Sequence, residues 1–380
     1  MAENKEKKVL NVPNLRFPEF EGEWEECKLG AVAMVVGGGT PDTNNHKYWN
    51  GDIQWFTPSE IGRDKYVTNS LRTISEEGLN KSSAKLLPIG TILLSSRATV
   101  GECSINKVEC ATNQGFQSLI PKEYFSKEFV FYLMQTKRKE LIRKSCGSTF
   151  LEISANEVRK IKIAVPTSKE QEKISKLLAL LDERISTQNK IIEDLQSLIK
   201  GIAQHWIKNI TSRSIYVKLG DICQITTGKL DANAQVDNGV YPFFTCAEHP
   251  FKIDSFAFDT EALLISGNGA NLGYINYYNG KFNAYQRTYV LDLFSENIQY
   301  IKWVLKVLLP KRIAIEKSSS NTPYILLSTL SDLMLPIPSK ENQYHIAELM
   351  QSLERKLSSQ ITLNGSYNIL KQYLLRQMFI

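Results

Sequence analysis

The sequence is poor in the residues that bind transition metals. Its 380 residues include 4 histidines and 6 cysteines, and no two cysteines form a C-x-x-C pair. Cys103 and Cys110, the nearest two, are seven positions apart, whereas cysteine ligands of structural zinc usually recur after about two to four residues. We therefore predict that the chain binds no metal and that its cysteines are reduced thiols.

Long apolar runs are also missing. The most apolar stretches, such as residues 302–309, are far too short to cross a bilayer. The opening residues, MAENKEKK, have no apolar segment of the kind that directs export. We therefore expect a cytoplasmic protein that does not enter a membrane.

The common catalytic motifs are absent as well. The sequence contains no GxxxxGK[ST] phosphate-binding loop, no HExxH, no GxSxG and no Asn/Asp-Pro-Pro-aromatic tetrapeptide of amino-methyltransferases. Carboxylates crowd the first half (Asp52, Glu60 and Asp64), but the second half has no matching trio. We therefore predict a chain without a catalytic site of its own.

What the sequence does contain is a long internal repeat. Residues 92–95 (ILLS) match residues 263–266 (LLIS) at an offset of 171, and the dipeptide at 100–101 matches that at 272–273 at an offset of 172. One residue is therefore inserted between these two matches in the second half. The offset of 172 continues through the pairs Gln114/Gln286, Ser148/Ser320, Pro166/Pro338, Gln171/Gln343 and Gln188/Gln360. Because this long unit occurs only twice, it indicates a duplicated domain and not a solenoid.

Each repeat has the same order of predicted elements. Short runs rich in β-branched and aromatic residues precede a helical stretch (127–144 and 297–315), a strand that ends at a proline, and a long helix. Ser168 and Ser339 are expected to cap the long helices. We predict an α+β fold with a pseudo-two-fold repeat, in which two long helices separate two homologous mixed α/β domains. The predicted boundaries are domain 1 at 1–166, the first helix at 167–209, domain 2 at 210–338 and the second helix at 339–380.

The long helices carry a coiled-coil pattern, with apolar residues in steps of three and four. The residues expected to pack are Leu178, Leu181, Ile185, Gln188, Ile192 and Leu195 in the first helix, and Leu353, Leu357, Gln360 and Leu374 in the second. Gln188 and Gln360 occupy the same step. A polar residue there can fix the helix register, or it can be tolerated on a partly solvated face. A further apolar set (Ile174, Leu177, Ile191 and Leu198) leaves surface for a third partner.

The polar loops of both repeats have the composition of a DNA-reading surface. Arg, Lys, Asn, Gln, Ser and Thr side chains contact phosphates and base edges, and the net charge of +6 is compatible with a phosphate-facing surface. The candidates are Arg63, Lys65, Arg97, Gln114, Ser148 and Thr149 in domain 1, and Lys229, Asn268, Asn271, Gln286, Arg287, Ser320, Asn321 and Thr322 in domain 2. Each of these residues can also be an ordinary solvated side chain, and the two glutamines can equally be buried amides that join strands.

Several motifs in this order match one family. Residues 11–30 read NVPNLRFPEFEGEWEECKLG, close to the opening N-P-x-L-R-F-P-x-F-x-G-x-W…L-G. Further motifs are WFTPSEI at 55–61, SSRATVG at 95–101, NQGF at 113–116, GST at 147–149, and the helix entry P-x-x-x-E-Q-x-x-I at 166–174, repeated with Asn342 in place of the glutamate at 338–346. Over nearly its whole length the chain resembles the specificity (S) subunit of type I restriction–modification systems.

The resemblance implies a set of partners. Two target recognition domains each read one half of a bipartite site in double-stranded DNA, and the two helices pack antiparallel as spacer and docking platform. Two modification (methyltransferase) subunits, which hold S-adenosylmethionine and methylate adenine, bind the specificity subunit, and motor-nuclease restriction subunits join for cleavage. The specificity subunit itself binds no cofactor. The second repeat lacks the R-F-P block, and target domains vary within the family, so the base contacts named above come from loop chemistry alone.

Two other functions fit the same residues. One is a stand-alone sequence-specific DNA-binding protein, and the other is a coiled-coil scaffold whose domains bind proteins. The helix length is compatible with DNA recognition, since about 38 residues at about 1.5 Å each extend roughly 57 Å, enough to hold two domains one DNA turn of roughly 34–36 Å apart. Co-purification of a methyltransferase separates the first alternative, and sequence-dependent DNA affinity separates the second.

Overall fold

The computed structural model describes residues 11–147, 151–210, 214–317 and 324–380, which belong to two compact units. Unit 1 contains Met1–Thr187 and Asn364–Ile380, and unit 2 contains Gln188–Leu363. Each unit therefore combines one repeat with parts of both long helices. The boundaries predicted from the sequence, which set the helices apart from the domains, stay predictions.

The first repeat alternates short strands and helices before its long helix. Its elements are β1 (Glu25–Lys28), α1 (Leu29–Val32), β2 (Ala33–Gly37), β3 (Trp49–Phe56), β4 (Tyr66–Val67), β5 (Arg72–Ile74), α2 (Glu76–Asn80), β6 (Ile92–Leu94), β7 (Cys103–Asn106), β8 (Cys110–Thr112), β9 (Gln117–Pro121), α3 (Lys127–Lys144), α4 (Ala155–Arg159), β10 (Lys162–Val165) and α5 (Ser168–Ile210).

The second repeat has the same order with fewer elements in its front half. Its elements are β11 (Ile215–Lys218), α6 (Leu219–Ile222), β12 (Gln224–Thr227), β13 (Tyr241–Phe244), β14 (Phe251–Ile253), β15 (Phe258–Ser266), β16 (Ile275–Ala284), β17 (Thr288–Asp292), α7 (Ile298–Lys317), α8 (Leu327–Ser331), β18 (Met334–Ile337) and α9 (Lys340–Gln377).

Each repeat has its own sheet, and the two sheets share a strand order. The strand order β2-β9-β6-β7 in unit 1 recurs as β12-β17-β15-β16 in unit 2, and the antiparallel pair β1–β10 recurs as β11–β18. The sheets differ at one edge, where β4 joins β7 in unit 1 and β13 with β14 joins β16 in unit 2. Unit 1 also has a three-stranded sheet, β5-β3-β8. The predicted duplicated α+β fold is confirmed.

The predicted helical stretches at 127–144 and 297–315, which we call the middle helices, are confirmed as well. The first coincides with α3, whose N-cap Ser126 accepts a hydrogen bond from the backbone N–H of Phe129 at 3.2 Å. The second is α7, which begins one residue later and ends two residues later than predicted. For the long helices, Ser339 does precede α9, but α5 begins at Ser168 itself. Thr167 therefore occupies the capping position that we assigned to Ser168, because it is Thr167 that aligns with Ser339 in the repeat.

A buried glutamine joins each long helix to the middle helix of its own repeat. In unit 1, Gln171 Nε2 donates to Pro166 O at 3.0 Å, and its Oε1 accepts from the backbone N–H of Ser126 at 3.0 Å. In unit 2, Gln343 makes the same two bonds, to Pro338 O and from the N–H of Asn297, each at 3.0 Å. Gln171 and Gln343 therefore make an equivalent pair of hydrogen bonds in the two repeats. We call each pair the glutamine latch.

We expect Gln171→Leu to lower the free energy of unfolding by about 1–3 kcal/mol, because the half-buried N–H of Ser126 and the buried carbonyl of Pro166 both lose this partner. Chemical denaturation of the full chain, followed by circular dichroism, measures the change. Gln372→Leu, an exposed position on α9, is the matched control and should stay within about 0.5 kcal/mol of wild type. Equal stability of both variants would show that the latch contributes nothing.

The long helices pack antiparallel inside unit 2. Gln188 Nε2 donates to Gln360 Oε1 at 2.7 Å and to Gln360 O at 3.2 Å. Further along α5, Ile199 shares a buried cluster with Met350 near the start of α9. Residues with rising numbers in α5 therefore meet residues with falling numbers in α9.

All ten residues expected to pack on the helices are buried or half-buried. Leu178 lies in the core of unit 1, with Leu374 packed against the same core, and Leu353 and Leu357 pack against the buried cluster of unit 2. The wider apolar set divides. Its first members, Ile174 and Leu177, join the core of unit 1, whereas Ile191 and Leu198 are exposed.

Candidate DNA-recognition site

The SSRATVG motif forms a turn that occurs in both units. We call residues 95–102 and residues 266–274 the recognition turns, since they join β6 to β7 and β15 to β16 and hold several predicted DNA contacts. Their backbone hydrogen bonds correspond pair by pair: Ser95 N to Glu102 O (2.8 Å) with Ser266 N to Tyr274 O (3.0 Å), and Gly101 N to Ser95 O (3.0 Å) with Gly273 N to Ser266 O (2.8 Å). The residue inserted in the second repeat is accommodated inside the turn.

The two recognition turns also share an unusual backbone conformation. Ala98 has φ +58° and Gly269 has φ +79°, each directly after a predicted DNA contact, Arg97 or Asn268. A left-handed alanine costs of the order of 1–2 kcal/mol relative to the ordinary right-handed conformation, and such strain is concentrated at functional sites. The turn therefore keeps this conformation even where the residue is not glycine.

Two further segments hold each recognition turn in place. In unit 1 the N–H of Ser96 donates to Gly115 O at 2.8 Å, and Ser96 O accepts from Ile153 N at 3.1 Å. In unit 2 the equivalent bonds are Gly267 N to Arg287 O at 2.8 Å and Ile325 N to Gly267 O at 2.9 Å. The turn, the segment with Gln114 or Gln286, and the residues just after 148–150 or 318–323 therefore meet in each unit. Ser148, Thr149, Ser320, Asn321 and Thr322 lie outside the described residues.

The predicted glutamines lie at the surface beside the turns. Both Gln114 and Gln286 are exposed, so the alternative of buried strand-joining amides is wrong. The Gln114 side chain accepts a hydrogen bond from the Thr40 hydroxyl, and the backbone N–H of Gln286 donates to Leu230 O at 2.9 Å. That second bond brings the exposed Lys229 to the same surface.

Arg97 is held by an acidic residue that the sequence did not single out. Its Nε lies 2.9 Å from Glu152 Oε1, and both side chains are more than 40% exposed. Glu152 in turn exchanges two backbone hydrogen bonds with Cys146, at 2.9 and 3.0 Å. Glu152 therefore places a carboxylate beside the guanidinium, as an exposed ion pair without a hydrogen bond at Nε.

In unit 2 a thiol organises the recognition turn. Cys246 Sγ lies 3.0 Å from Asn268 Oδ1, and Asn271 Nδ2 donates to Cys246 O at 3.0 Å. Arg287, exposed, contributes its carbonyl oxygen to the same group, 3.6 Å from the Cys246 thiol. Four of the predicted contacts of unit 2 (Asn268, Asn271, Gln286 and Arg287) thus lie on adjoining segments.

Arg63 and Lys65 lie outside the recognition turn of unit 1. Arg63 is exposed, whereas Lys65 Nζ donates to the Tyr132 hydroxyl at 2.9 Å. That hydroxyl donates to Asp182 Oδ2 at 2.6 Å, and Lys371 Nζ lies 2.7 Å from Asp182 Oδ1. Burial lowers the pKa of Lys65 and raises that of Tyr132. The contacts of Lys65 are therefore internal, and its contact with DNA stays a prediction.

A basic cleft lies at the end of the recognition turn of unit 1. Arg138 Nη2 is 2.7 Å from Glu102 Oε1, and both residues line a cleft of about 680 Å³. Its other cationic lining residues are Lys137, Lys139, Lys371 and Arg376. Because Glu102 is the only acidic side chain among these lining residues, whereas five side chains are cationic, the lining carries a net positive charge.

The described ranges contain no cluster of three or more His, Cys, Asp or Glu side chains that could hold a metal ion. Within the same ranges, no helix is both long enough and apolar enough to cross a membrane.

Comparison with known sequences identifies the family. The family described as "Type I restriction modification DNA specificity domain" matches residues 21–197 and again residues 214–364. The chain belongs to this family. The match occurs twice and follows the internal repeat, so both copies of the duplicated unit are DNA specificity domains.

Individual relatives agree with this assignment. The type I restriction enzyme MjaIX specificity subunit of Methanocaldococcus jannaschii is 27% identical over 379 residues, covering 88% of each chain. The EcoDI specificity subunit of Escherichia coli is 43% identical over 143 residues, covering 38% of this chain and 32% of that protein. The crystal structure of the type I S subunit from M. genitalium has a TM-score of 0.65 at 18% identity, covering 97% of this chain and 99% of that one, which shows a shared fold.

Membership in the specificity family decides between the functions left open by the sequence. The chain is a DNA sequence-specificity subunit of a type I restriction–modification system, and neither a scaffold nor a stand-alone DNA-binding protein. It is a non-catalytic subunit, as predicted.

Proposed function

We propose that each unit reads one half of a bipartite DNA site with the residues around its recognition turn. The observation that supports this most directly is the pair of turns: their backbone hydrogen bonds correspond, whereas the side chains at equivalent positions differ. Base edges are read by side chains, while backbone and phosphate contacts set position. A common frame with different side chains is therefore suited to two half-sites of different sequence.

The proposed contacts are those that adjoin the turns. They are Arg97 and Gln114 in unit 1, with Lys229, Asn268, Asn271, Gln286 and Arg287 in unit 2. The basic cleft of unit 1 is suited to the phosphate backbone, because lysine and arginine supply the sequence-independent part of DNA affinity.

Equilibrium binding at several salt concentrations tests this function. The purified complex with its modification subunits should bind a duplex carrying its own site about a thousandfold or more tighter than a scrambled duplex. Affinity for both duplexes should fall as salt rises, since phosphate contacts release counterions. Equal affinity for the two duplexes at every salt concentration would overturn the proposal.

The same repeat supports two docking sites for one kind of partner. Ile191 and Leu363 are equivalent positions on α5 and α9, each 39% exposed, and the equivalent leucines Leu198 and Leu370 are 51% and 45% exposed. On each helix the two residues are seven apart and therefore share a face. Large apolar side chains repeated in this way favour a protein partner that binds each helix in the same manner.

That partner, in our proposal, is the modification subunit, bound in two copies with S-adenosylmethionine. The restriction subunits join the same assembly. The specificity subunit then selects the position on DNA, and the modification subunits perform the methyl transfer there.

We expect the double variant Ile191→Glu with Leu198→Glu to reduce the modification subunits from two to one per specificity subunit, because a charge in an apolar contact is desolvated without a partner. Leu363→Glu with Leu370→Glu should remove the other copy, and all four substitutions should remove both. Native mass spectrometry of the co-expressed complex counts the copies.

Ile369→Glu is the matched control for the docking variants. Ile369 is 70% exposed on α9, but its equivalent in the first repeat is Ser197, so it has no duplicated counterpart and should leave two copies bound. Two copies on the four-site variant would contradict the assignment of the docking residues.

A further inference from the structure

The side chains that open the two recognition turns are different but structurally equivalent. Arg97 forms an antiparallel bridge with Glu152, and Asn268 forms the same bridge with Tyr324. The residue before each donates to the segment of Gln114 or Gln286, and the residue after each is left-handed. Position 97 of unit 1 and position 268 of unit 2 are therefore the same place in the duplicated frame.

We propose that this position reads one base in each half-site, with Arg97 selecting guanine and Asn268 selecting adenine. The chemistry follows from the edges that the bases present in the major groove. Guanine offers two acceptors, O6 and N7, which match the donor-only fork of an arginine. Adenine offers one acceptor, N7, which accepts from the amide N–H of an asparagine, and one donor, N6–H, which donates to the asparagine carbonyl.

The contacts of Arg97 leave its terminal nitrogens available. A carboxylate oxygen of Glu152 lies 2.9 Å from Nε, and neither Nη1 nor Nη2 donates a hydrogen bond to any of the described residues. The exposed ion pair favours this position of the guanidinium only modestly, and the terminal nitrogens face no competing acceptor among the described residues.

Within the part of the chain that the structure describes, the side chain of Asn268 is contacted at its carbonyl oxygen and not at its amide nitrogen. The Cys246 thiol, a weak donor, contacts Oδ1 at 3.0 Å, and a carbonyl oxygen keeps a second lone pair for a base donor. Both side chains are thus partly fixed within their own unit.

The proposal rests on the proposed function of the turns, and exchanging the two side chains tests it. The complexes of Arg97→Asn and Asn268→Arg with their modification subunits are compared with wild type by methylation-motif sequencing and by competition binding. Duplexes carry each of the four bases at the altered position. Arg97→Asn should weaken the preference for guanine at one position of one half-site by about 5- to 150-fold and favour adenine there. Asn268→Arg should change an adenine to a guanine in the other half-site.

Two further variants keep the test decisive. Arg143→Asn removes the same charge from an exposed arginine of α3 outside the turn and should leave the motif unchanged. If Arg97→Asn does not assemble, Arg97→Gln keeps more of the side-chain length and should show the same loss of guanine preference.

The failures of this inference and of the proposed function are distinguishable. If Arg97→Asn weakens binding to all duplexes equally and the motif is unchanged, Arg97 contacts phosphate and the inference is overturned, while half-site reading stands. A wild-type motif without guanine in the half affected by Arg97 also overturns it. If the wild-type complex shows no sequence preference, the proposed function itself fails.

Discussion

Replacing Glu170 by alanine is expected to lower the free energy of unfolding by about 3–5 kcal/mol, because it leaves a largely buried guanidinium without its counter-ion. Glu170 is 1% exposed, and Arg16 binds it through Nε and Nη2, both at 2.8 Å. The indole N–H of Trp24 donates to the same carboxylate at 3.3 Å. The side-chain hydrogen bond to Glu170 raises the pKa of Arg16 above its ordinary value. Chemical denaturation of the full chain measures the loss.

The repeat provides the control for this variant. Asn342, exposed, occupies the equivalent position on α9, and its repeat has no R-F-P block, so Asn342→Ala should change stability by less than about 0.5 kcal/mol. Similar losses for Glu170→Ala and Asn342→Ala would show that the buried ion pair does not stabilise the N-terminal segment.

Lengthening both long helices by one heptad is expected to lengthen the spacer between the half-sites by about three base pairs. Seven helical residues add about 10.5 Å, and base pairs are about 3.4 Å apart. Duplicating residues 189–195 in α5 and residues 353–359 in α9 places the additions opposite each other, because the helices are antiparallel in unit 2. A seven-residue insertion also keeps the packing residues of each helix on the same face, so that the seam between the two helices is preserved.

The half-sites themselves should stay the same, and affinity for the original spacing should fall about a thousandfold, towards the non-specific level. Motif sequencing of DNA methylated by the variant complex measures both. The control carries the insertion in α5 alone. Beyond the pair Gln188–Gln360, the residues of α5 then face the wrong residues of α9, which should prevent the complex from assembling. An unchanged spacer in the double insertion would show that the helices do not set the distance.

Much of the fold was predictable because it depends on periodicity and repetition. The seam of the long helices, the span of α3 and the equivalence of positions 97 and 268 all follow from spacing along the chain. The insertion between the matches at 95 and 100 also located the longer recognition turn of unit 2.

The site was less predictable, because its organising contacts join residues far apart in the chain. Glu152 and Cys246 contact Arg97 and Asn268, yet neither lies in a motif. Lys65 resembled a surface cation because nothing in its own segment shows that Tyr132 and Asp182 lie beside it.

One long-range pair was foreshadowed by the sequence. The first repeat has both the R-F-P block and Glu170, whereas the second lacks the block and has Asn342. The two differences belong together because the arginine of the block binds that glutamate, and a buried glutamate without it would be costly.

The most direct measurement is single-molecule methylation sequencing of DNA from cells that express this chain with its modification subunit. Two recognition units on two long helices predict a bipartite motif, in which two different short half-sites flank a spacer of fixed length and unspecified sequence. A single continuous motif, or methylation without any sequence preference, would contradict the account.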